Sequence, residues 1–257
     1  MNEIEKYRFF LKDTIRQHIN FRTTDQSRGV PAPPVEKPFD TDALIIRLPK
    51  RRKWESCITH RDILQAMSGR KSRRRFSSDA LNLREMAFLL WAVQGLRGNE
   101  GGNPAFRTVP SAGARHSFET YLFVFNVTGL KQGVYRYLPI ENALQFLSDM
   151  EAMEDRLCNA CFGQRFVSKG AVTFVWSTLP YRMEWRYSLA AHRVILMDAG
   201  HVCQNLYLAC EAINAGTCAV GAYDQEEMDR LLNIDGENEF TLYLAPVGKL
   251  SKRCDSV

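Results

Sequence analysis

Residues 69–77, GRKSRRRFS, set five cations into six consecutive positions: Arg70, Lys71, Arg73, Arg74 and Arg75. Such side chains serve anions, because a guanidinium presents a planar fork of donors that matches phosphate or carboxylate oxygens. Three occupants are open at this level: a nucleic-acid backbone, one small anion, or bulk solvent around a charged surface. The rest of the chain argues against the polymer. Its net charge is only +5, its 29 acidic residues are interleaved with the remaining bases, and it has no recognisable nucleic-acid module. A second basic cluster, Arg47 with Lys50, Arg51, Arg52 and Lys53, adds to the uneven placement of charge.

Residues 107–124, RTVPSAGARHSFETYLFV, carry the second candidate. Pro110, Ser111, Ala112, Gly113 and Ala114 make a turn of small residues leading into a strand. Such a turn lets backbone and one hydroxyl approach a flat ligand closely, or is simply the start of a strand. In MDAGHVCQNL, Asp198 and His201 stand three apart and share one face of a helix. His201 has no second histidine at ligand spacing, so a hydrogen-bonded structural role outweighs acid or metal chemistry, and no metal site is expected. Cys158 and Cys161 form one C-x-x-C without the second pair of a zinc site or the strand-then-helix setting of a redox pair, and read as packed apolar side chains. Seven cysteines, an odd number in a long chain, read as reduced thiols, with Cys203 and Cys210 sharing a core-facing helix side.

These residues need elements to hold them. Residues 1 to about 20 can form a helix, and 27–39, with four prolines, reads as an extended connector. The stretch DALIIRLP is a short strand or an arm lying on another surface. Thr59 with Asp62 predicts a helix start, and the apolar positions Ile63, Leu64 and Met67 end at Gly69, so the basic run begins where a helix stops. Asn82 with Glu85 caps a second helix that ends at Gly95, and 97–104, rich in Gly and Asn, is a loop. Strand signals follow at 120–127, 134–138, 144–147, 171–177 and 240–246. A long helix over about 189–214 is closed by Gly216, and Asp224 with Glu227 caps a shorter one reaching Leu232.

A chain of 257 residues, 45% hydrophobic, can bury a sizeable core. Strands and helices mix without regular βαβ alternation. The expected class is therefore α+β, a central, mostly antiparallel sheet surrounded by helices, with an N-terminal helical arm. The division expected is 1–57 for the helix, proline-rich connector and arm, and 58–257 for the main domain. No apolar stretch approaches the ~18 to 20 residues of a membrane span, and the first residues show no secretory pattern, so a soluble cytoplasmic chain that engages no membrane is expected.

Five segments in order, SRRRFSSDALNLREMAFLLWAVQGL, RTVPSAGARHSFETYLFV, GVYRYLP, MDAGHVCQNLYLACEAINAGTCAVGAYD and YLAPVGK, together resemble the nitroreductase superfamily over residues 58–249. The nearest branch is that of the SagB-type dehydrogenases, which includes the azoline oxidases of thiazole and oxazole peptide biosynthesis. The resemblance implies FMN bound non-covalently at a homodimer interface. Arg70, Lys71, Ser72, Arg74 and Phe76 match its RRSxRxF signature, whose basic side chains clamp the flavin phosphate; Arg73 and Arg75 alternate with them and are left to solvent or acidic neighbours. Pro110, Ser111, Ala112 and Gly113, with Ala114, match the loop beside the isoalloxazine ring. Cys218, Ala219, Val220, Gly221 and Ala222 match the segment at the ring's reactive face, where a backbone N–H meets flavin N5 and a Cβ at Gly221 would crowd the ring. Gly248 and Lys249 match a second phosphate-binding site, Lys249 being otherwise a plain surface lysine. The helix carrying Asp198 and His201 would form much of the dimer core, with Asn205 nearer the flavin.

One position departs from the branch. The azoline oxidases carry a Lys-Tyr pair for proton abstraction, and Arg186 and Tyr187 stand there in this chain. A guanidinium stays protonated, so Arg186 cannot serve as the base, while Tyr187 can still donate a proton. The implied activity is an FMN-dependent oxidoreductase with NAD(P)H as a transient hydride donor and a small-molecule acceptor. No G-x-G-x-x-G fingerprint is present to bind the nicotinamide in a domain of its own. Two alternatives stay open: a SagB-type dehydrogenase that oxidises a small molecule or modified peptide and passes electrons to oxygen, and a flavin- or nucleic-acid-binding module without turnover.

Overall fold

Two strands near the middle of the chain, 118–124 and 172–178, are buried at every position, which requires the sheet they centre to be covered on both faces. The computed structural model describes residues 2–60, 62–97 and 106–251. In chain order its elements are α1 (Glu3–Leu11), β1 (Ile45–Arg47), α2 (Arg51–Trp54), α3 (Ile63–Gly69), β2 (Leu81–Asn82), α4 (Leu83–Gln94), β3 (Phe118–Val124), β4 (Val127–Thr128), β5 (Gly133–Leu138), β6 (Ala143–Ser148), α5 (Met153–Ala160), β7 (Val172–Thr178), α6 (Tyr181–Tyr187), α7 (Ala191–Ala212), β8 (Ala215–Thr217), α8 (Gln225–Leu232) and β9 (Phe240–Lys249). The main sheet runs β1-β6-β5-β3-β7-β9-β8 with every pair antiparallel, and β2 and β4 form a small parallel pair. The α+β class expected from the sequence is the one found.

Alternation along the central strands feeds two cores. Leu122, Phe174 and Trp176 pack toward α4 and α7, whereas Tyr121, Phe123 and Val175 pack toward α5 and α8. The Asn82–Glu85 capping box forms as expected, and Gly95 follows the last turn of α4, where a Cβ would lie 2.6 Å from the Trp91 backbone. Asp224 likewise caps α8 through the Glu227 amide.

Three boundaries differ from the sequence reading. Asp62, not Thr59, is the N-cap of α3, its carboxylate accepting from the Gln65 amide. The long helix ends at Ile213 and Asn214, the latter left-handed at φ 52°, and Gly216 sits inside β8. The first helix stops at Leu11 because Lys12 is extended, and a 3-10 turn, Asp13–His18, follows. The short helices α2, α5 and α6 had no clear periodic signal. From residue 98 on, the loop expected over 97–104 lies outside the described residues. No helix among the described residues is long and apolar enough to cross a membrane.

The proline-rich connector lies against the body instead of standing clear of it. Arg107 donates to the Val35 carbonyl at 2.5 Å, Arg115 to Pro33 at 2.8 Å, and Arg136 to Lys37 and Pro38 at 3.1 and 3.0 Å. Proline-rich backbone has few N–H groups but keeps its carbonyls, so arginines are suited to fasten it. Lys37 closes the strap on Glu239 at 2.6 Å. Further along, β1 joins the sheet beside β6 and Trp54 enters the core, so the segment before residue 58 is built into the same body.

Beneath the strap, Arg182 and Glu119 pair at 2.6 Å with both side chains almost fully buried. Replacing Arg182 with Met leaves the Glu119 carboxylate buried without its counter-ion. Urea unfolding of Arg182→Met should show a loss of about 3–5 kcal/mol; a loss below about 1 kcal/mol would mean that the pair is not what holds this layer.

Candidate functional site

The basic run lies along the β8–β9 end of the sheet. Its backbone is tied there by Arg73 N–H to Thr217 C=O at 2.8 Å and Ser77 N–H to Lys249 C=O at 2.9 Å. Two glycines permit the approach: a Cβ on Gly216 would lie 2.7 Å from the Arg73 side chain, and one on Gly248 2.8 Å from Phe76. Arg73 and Phe76 are thus turned inward, Arg73 reaching Glu211 at 3.6 Å. The remaining cations are left outward. Arg70 stacks over the Tyr207 ring at 5.2 Å and Arg74 over Phe166 at 5.5 Å. No ion pair engages Arg70, Lys71, Arg74 or Arg75 among the described residues.

Tyr207 joins this run to the 218–222 segment. Its hydroxyl accepts from the Ala219 amide at 2.8 Å and meets Ser72 Oγ at 2.9 Å. Val220 then exchanges both backbone hydrogen bonds with Leu244, at 2.8 and 3.2 Å. Gly221 and Ala222 follow, exposed, and neither amide donates to an acceptor among the described residues. A Cβ on Gly221 would meet nothing closer than a Tyr243 ring carbon at 3.8 Å, so the chain's own packing does not demand glycine there.

The loop of small residues is fixed from the other end of α7. Asp198 accepts from the Ala112 amide at 3.2 Å and from the Ser111 hydroxyl, while Ser111 Oγ also accepts from the His116 amide at 2.9 Å. Burial pushes the Asp198 carboxyl above its ordinary value, partly offset by these hydrogen bonds and by His201, whose Nδ1 is 3.7 Å away. Gly113 has φ 59°, and a Cβ on it would come within 2.7 Å of Tyr187 Oη and 3.0 Å of Arg186 Nε. The Arg186–Tyr187 pair therefore packs directly on this loop.

Not every expected residue reaches the cluster. The Lys249 ammonium is held by Glu85 at 2.5 Å and the Ile213 carbonyl at 2.8 Å, so this residue meets the basic run through its backbone only. Asn205 donates to the Ala92 carbonyl, on the α4 side. Cys161 is buried, which pushes its thiol up to about 12 and suits a packing role. Tyr207 was not singled out from the sequence. Its only signal was spacing: it stands nine residues beyond Asp198.

That spacing has a geometric meaning. Nine residues are two and a half helical turns, so Asp198 and Tyr207 project from opposite flanks of α7 and are separated by about 13 Å along its axis. The small-residue loop and the cation–amide cluster consequently lie on different sides of one helix. None of the three principal cavities touches Gly113 or Gly221.

Four cations without ion pairs among the described residues, beside backbone amides that donate to no described acceptor, make a surface suited to an anion such as a phosphate. The chain belongs to the nitroreductase family, whose model matches residues 67–249. "Putative nitroreductase MJ1384" of Methanocaldococcus jannaschii is 34% identical over 180 residues, spanning 70% of this chain and 87% of that protein. The crystal structure of a "putative nitroreductase" from Anabaena variabilis superposes with a TM-score of 0.65 at 22% identity, over 82% of this chain but only 42% of that one. One from Ralstonia eutropha gives 0.65 at 23% identity over 86% and 99%. A chain of the Escherichia coli microcin synthetase McbBCD complex gives 0.59 at 17% over 98% of both, and a "putative nitroreductase in complex with FMN" from Exiguobacterium sibiricum gives 0.54 at 14% over 75% and 90%. At these identities the structures show a shared fold.

Two predictions test the anchors. Tyr207→Phe removes the acceptor of the Ala219 amide, so hydrogen exchange at Ala219 should accelerate about tenfold or more, matching a lost hydrogen bond of about 1–3 kcal/mol; unchanged protection would show that the hydroxyl does not hold the segment. For Asp198 the raised carboxyl means that folding favours the protonated form, and stability is lost as pH rises through the raised value. The melting temperature of Asp198→Asn relative to the unaltered protein should therefore improve between about pH 4 and pH 7, and a constant offset would contradict the assignment.

Proposed function

We propose that the chain is an FMN-dependent oxidoreductase that works as a homodimer, with NAD(P)H as a transient hydride donor and a small molecule as acceptor. The observation that carries this reading is the pairing, through Tyr207, of outward cations lacking counter-ions with bare amides at Gly221 and Ala222. Family membership and the FMN complex of the Exiguobacterium sibiricum protein support it. Bound there, FMN would supply two-electron redox chemistry between the nicotinamide and the acceptor.

The chain's own residues bind and orient. Arg70, Lys71, Ser72 and Arg74 receive the phosphate, each guanidinium offering forked donors to a dianion. The amides of Gly221 and Ala222 present donors to the polar edge of the ring, and the open space over Gly221 admits a flat surface. Pro110, Ser111, Ala112 and Gly113 offer small side chains to the ring's other side, with a Gly113 amide that donates to no described residue, and Gly248 lets Phe76 seat the basic run. Because that loop and the cations stand on opposite flanks of α7, a single chain encloses neither face completely. Two chains complete the site, the loop of one facing the basic run of the other. The exposed side of α7, with Leu196, Met197 and the uncrowded Gly200, supplies an apolar strip for the contact.

Tyr187 is placed to hold a proton at the loop, and Arg186 beside it, 5.6 Å from its ring, supplies fixed positive charge. A second reading, oxidation of a small molecule or modified peptide with electrons passed to oxygen, is favoured by the likeness of the whole chain to one in the microcin synthetase complex. Arg186 weighs against it, since it cannot abstract a proton.

The test is a binding and reduction experiment on the intact protein. Arg70→Ala with Arg74→Ala should weaken FMN by about 10²-fold or more, at about 1.5–3 kcal/mol per charged hydrogen bond, and leave riboflavin, which has no phosphate, unaffected. Arg73→Ala should lower stability without that selective loss. Anaerobic NADH or NADPH should bleach the bound flavin. FMN affinity indifferent to Arg70 and Arg74 would remove the phosphate assignment, and a flavin that neither nucleotide reduces would shift the function to the second reading.

A further inference from the structure

A cavity of about 1020 Å³ opens between α2, α3, α4 and the C-terminal half of α7, a size that takes a drug-sized molecule. It contains neither Gly113, nor Gly221, nor any residue of the basic run, so it is separate from the site proposed for the flavin. One wall is aromatic: Trp54 stands 5.1 Å from Trp91 and 5.3 Å from Phe88, each pair tilted by 45–46°. Leu208 and Ala209 of α7 contribute to the rest of the lining.

Two polar groups in the lining are incompletely used. Tyr137 is only 2% exposed, and its hydroxyl hydrogen-bonds to no described residue. Burial raises its pKa, so it remains a donor. Asn205 spends its amide N–H on Ala92 and leaves its carbonyl oxygen without a donor among the described residues.

The charged groups around the cavity are Lys50, Arg51, Arg97, His60 and Asp62. Arg51 is paired with Glu55 and lies over the Trp91 ring, Arg97 lies over Phe106, and Asp62 is occupied in capping α3. His60 meets the Thr59 hydroxyl. Neither Lys50 nor Arg97 makes an ion pair among the described residues, so the excess charge at the mouth is positive, and Lys50 is the one of the two that stacks on no ring.

We propose that this cavity is a second small-molecule site, selective for a flat aromatic acid whose rings lie against Trp54, Phe88 and Trp91 and whose carboxylate meets Lys50. Aromatic walls favour a planar π-system over an aliphatic chain. The unpaired ammonium and the Tyr137 hydroxyl both complement an acceptor-rich acid.

The chain has four tryptophans, of which Trp54 and Trp91 line the cavity while Trp176 and Trp185 do not. With the full-length protein labelled with 5-fluorotryptophan, titration with 2-naphthoate should move the two cavity fluorine resonances saturably and leave the other two in place. The neutral analogue 2-naphthalenemethanol should bind about tenfold more weakly or worse, and Lys50→Ala should erase that difference between the two probes. Leu208→Phe, which fills the cavity from a partly exposed position, should abolish both shifts. Shifts spread over all four resonances, shifts that survive Leu208→Phe, or the absence of any saturable shift would overturn the site. Equal affinity for acid and alcohol in the unaltered protein would overturn the assignment of the ligand as an acid.

Discussion

One hydroxyl group holds the proposed centre together. Tyr207 accepts from the Ala219 amide and contacts Ser72, so two segments more than 140 residues apart in sequence are pinned to the same atom of α7. Without that tie, the basic run would be a charged loop and 218–222 a plain connection between β8 and α8. With it, cations and backbone amides stand side by side. The tie works because the ends of both segments are fixed independently, the run by Thr217 and Lys249 and the connection by Leu244. Local mobility is thereby confined to the outward side chains that would meet a ligand.

The sheet and the strap supply the rigidity behind this arrangement. β3 and β7 pack into two cores, so neither face is free to move. On one side, buried arginines clasp the carbonyls of a proline-rich segment, and on the other α7 spans the body. The same helix anchors the small-residue loop through Asp198 at one end and the cation–amide cluster through Tyr207 at the other. A helix that carries half-sites on opposite flanks is a natural element around which to pair two chains, since each flank then needs what its counterpart offers.

Much of this was legible in the sequence, and the reasons for the remainder are specific. The capping box at Asn82 and Glu85 and the strand signals are local properties, and they came out close to their observed bounds. In the basic run, the expectation that Arg73 and Arg75 stand apart holds for an acidic partner at Arg73 alone, which reaches Glu211, whereas Arg75 makes no ion pair among the described residues. Lys249 was ambiguous because a lysine at the end of a strand can reach a ligand or a carboxylate. Glu85, which decides the matter, lies 164 positions away. Tyr207 was invisible for the same reason, since its partners are distant and an aromatic residue on a helix reads first as packing. The strap reads as an extended connector because of its prolines, and nothing local reveals the three arginines that hold its carbonyls.

Hydrogen exchange with mass analysis during FMN titration of the intact protein bears most directly on the central claim, that phosphate-binding cations and ring-facing amides converge on one ligand. The account predicts simultaneous protection of peptides covering 70–76, 218–222 and 110–114, saturating at one flavin per chain. Protection confined to the aromatic cavity of Trp54 and Trp91, or saturation with 218–222 unchanged, would contradict it.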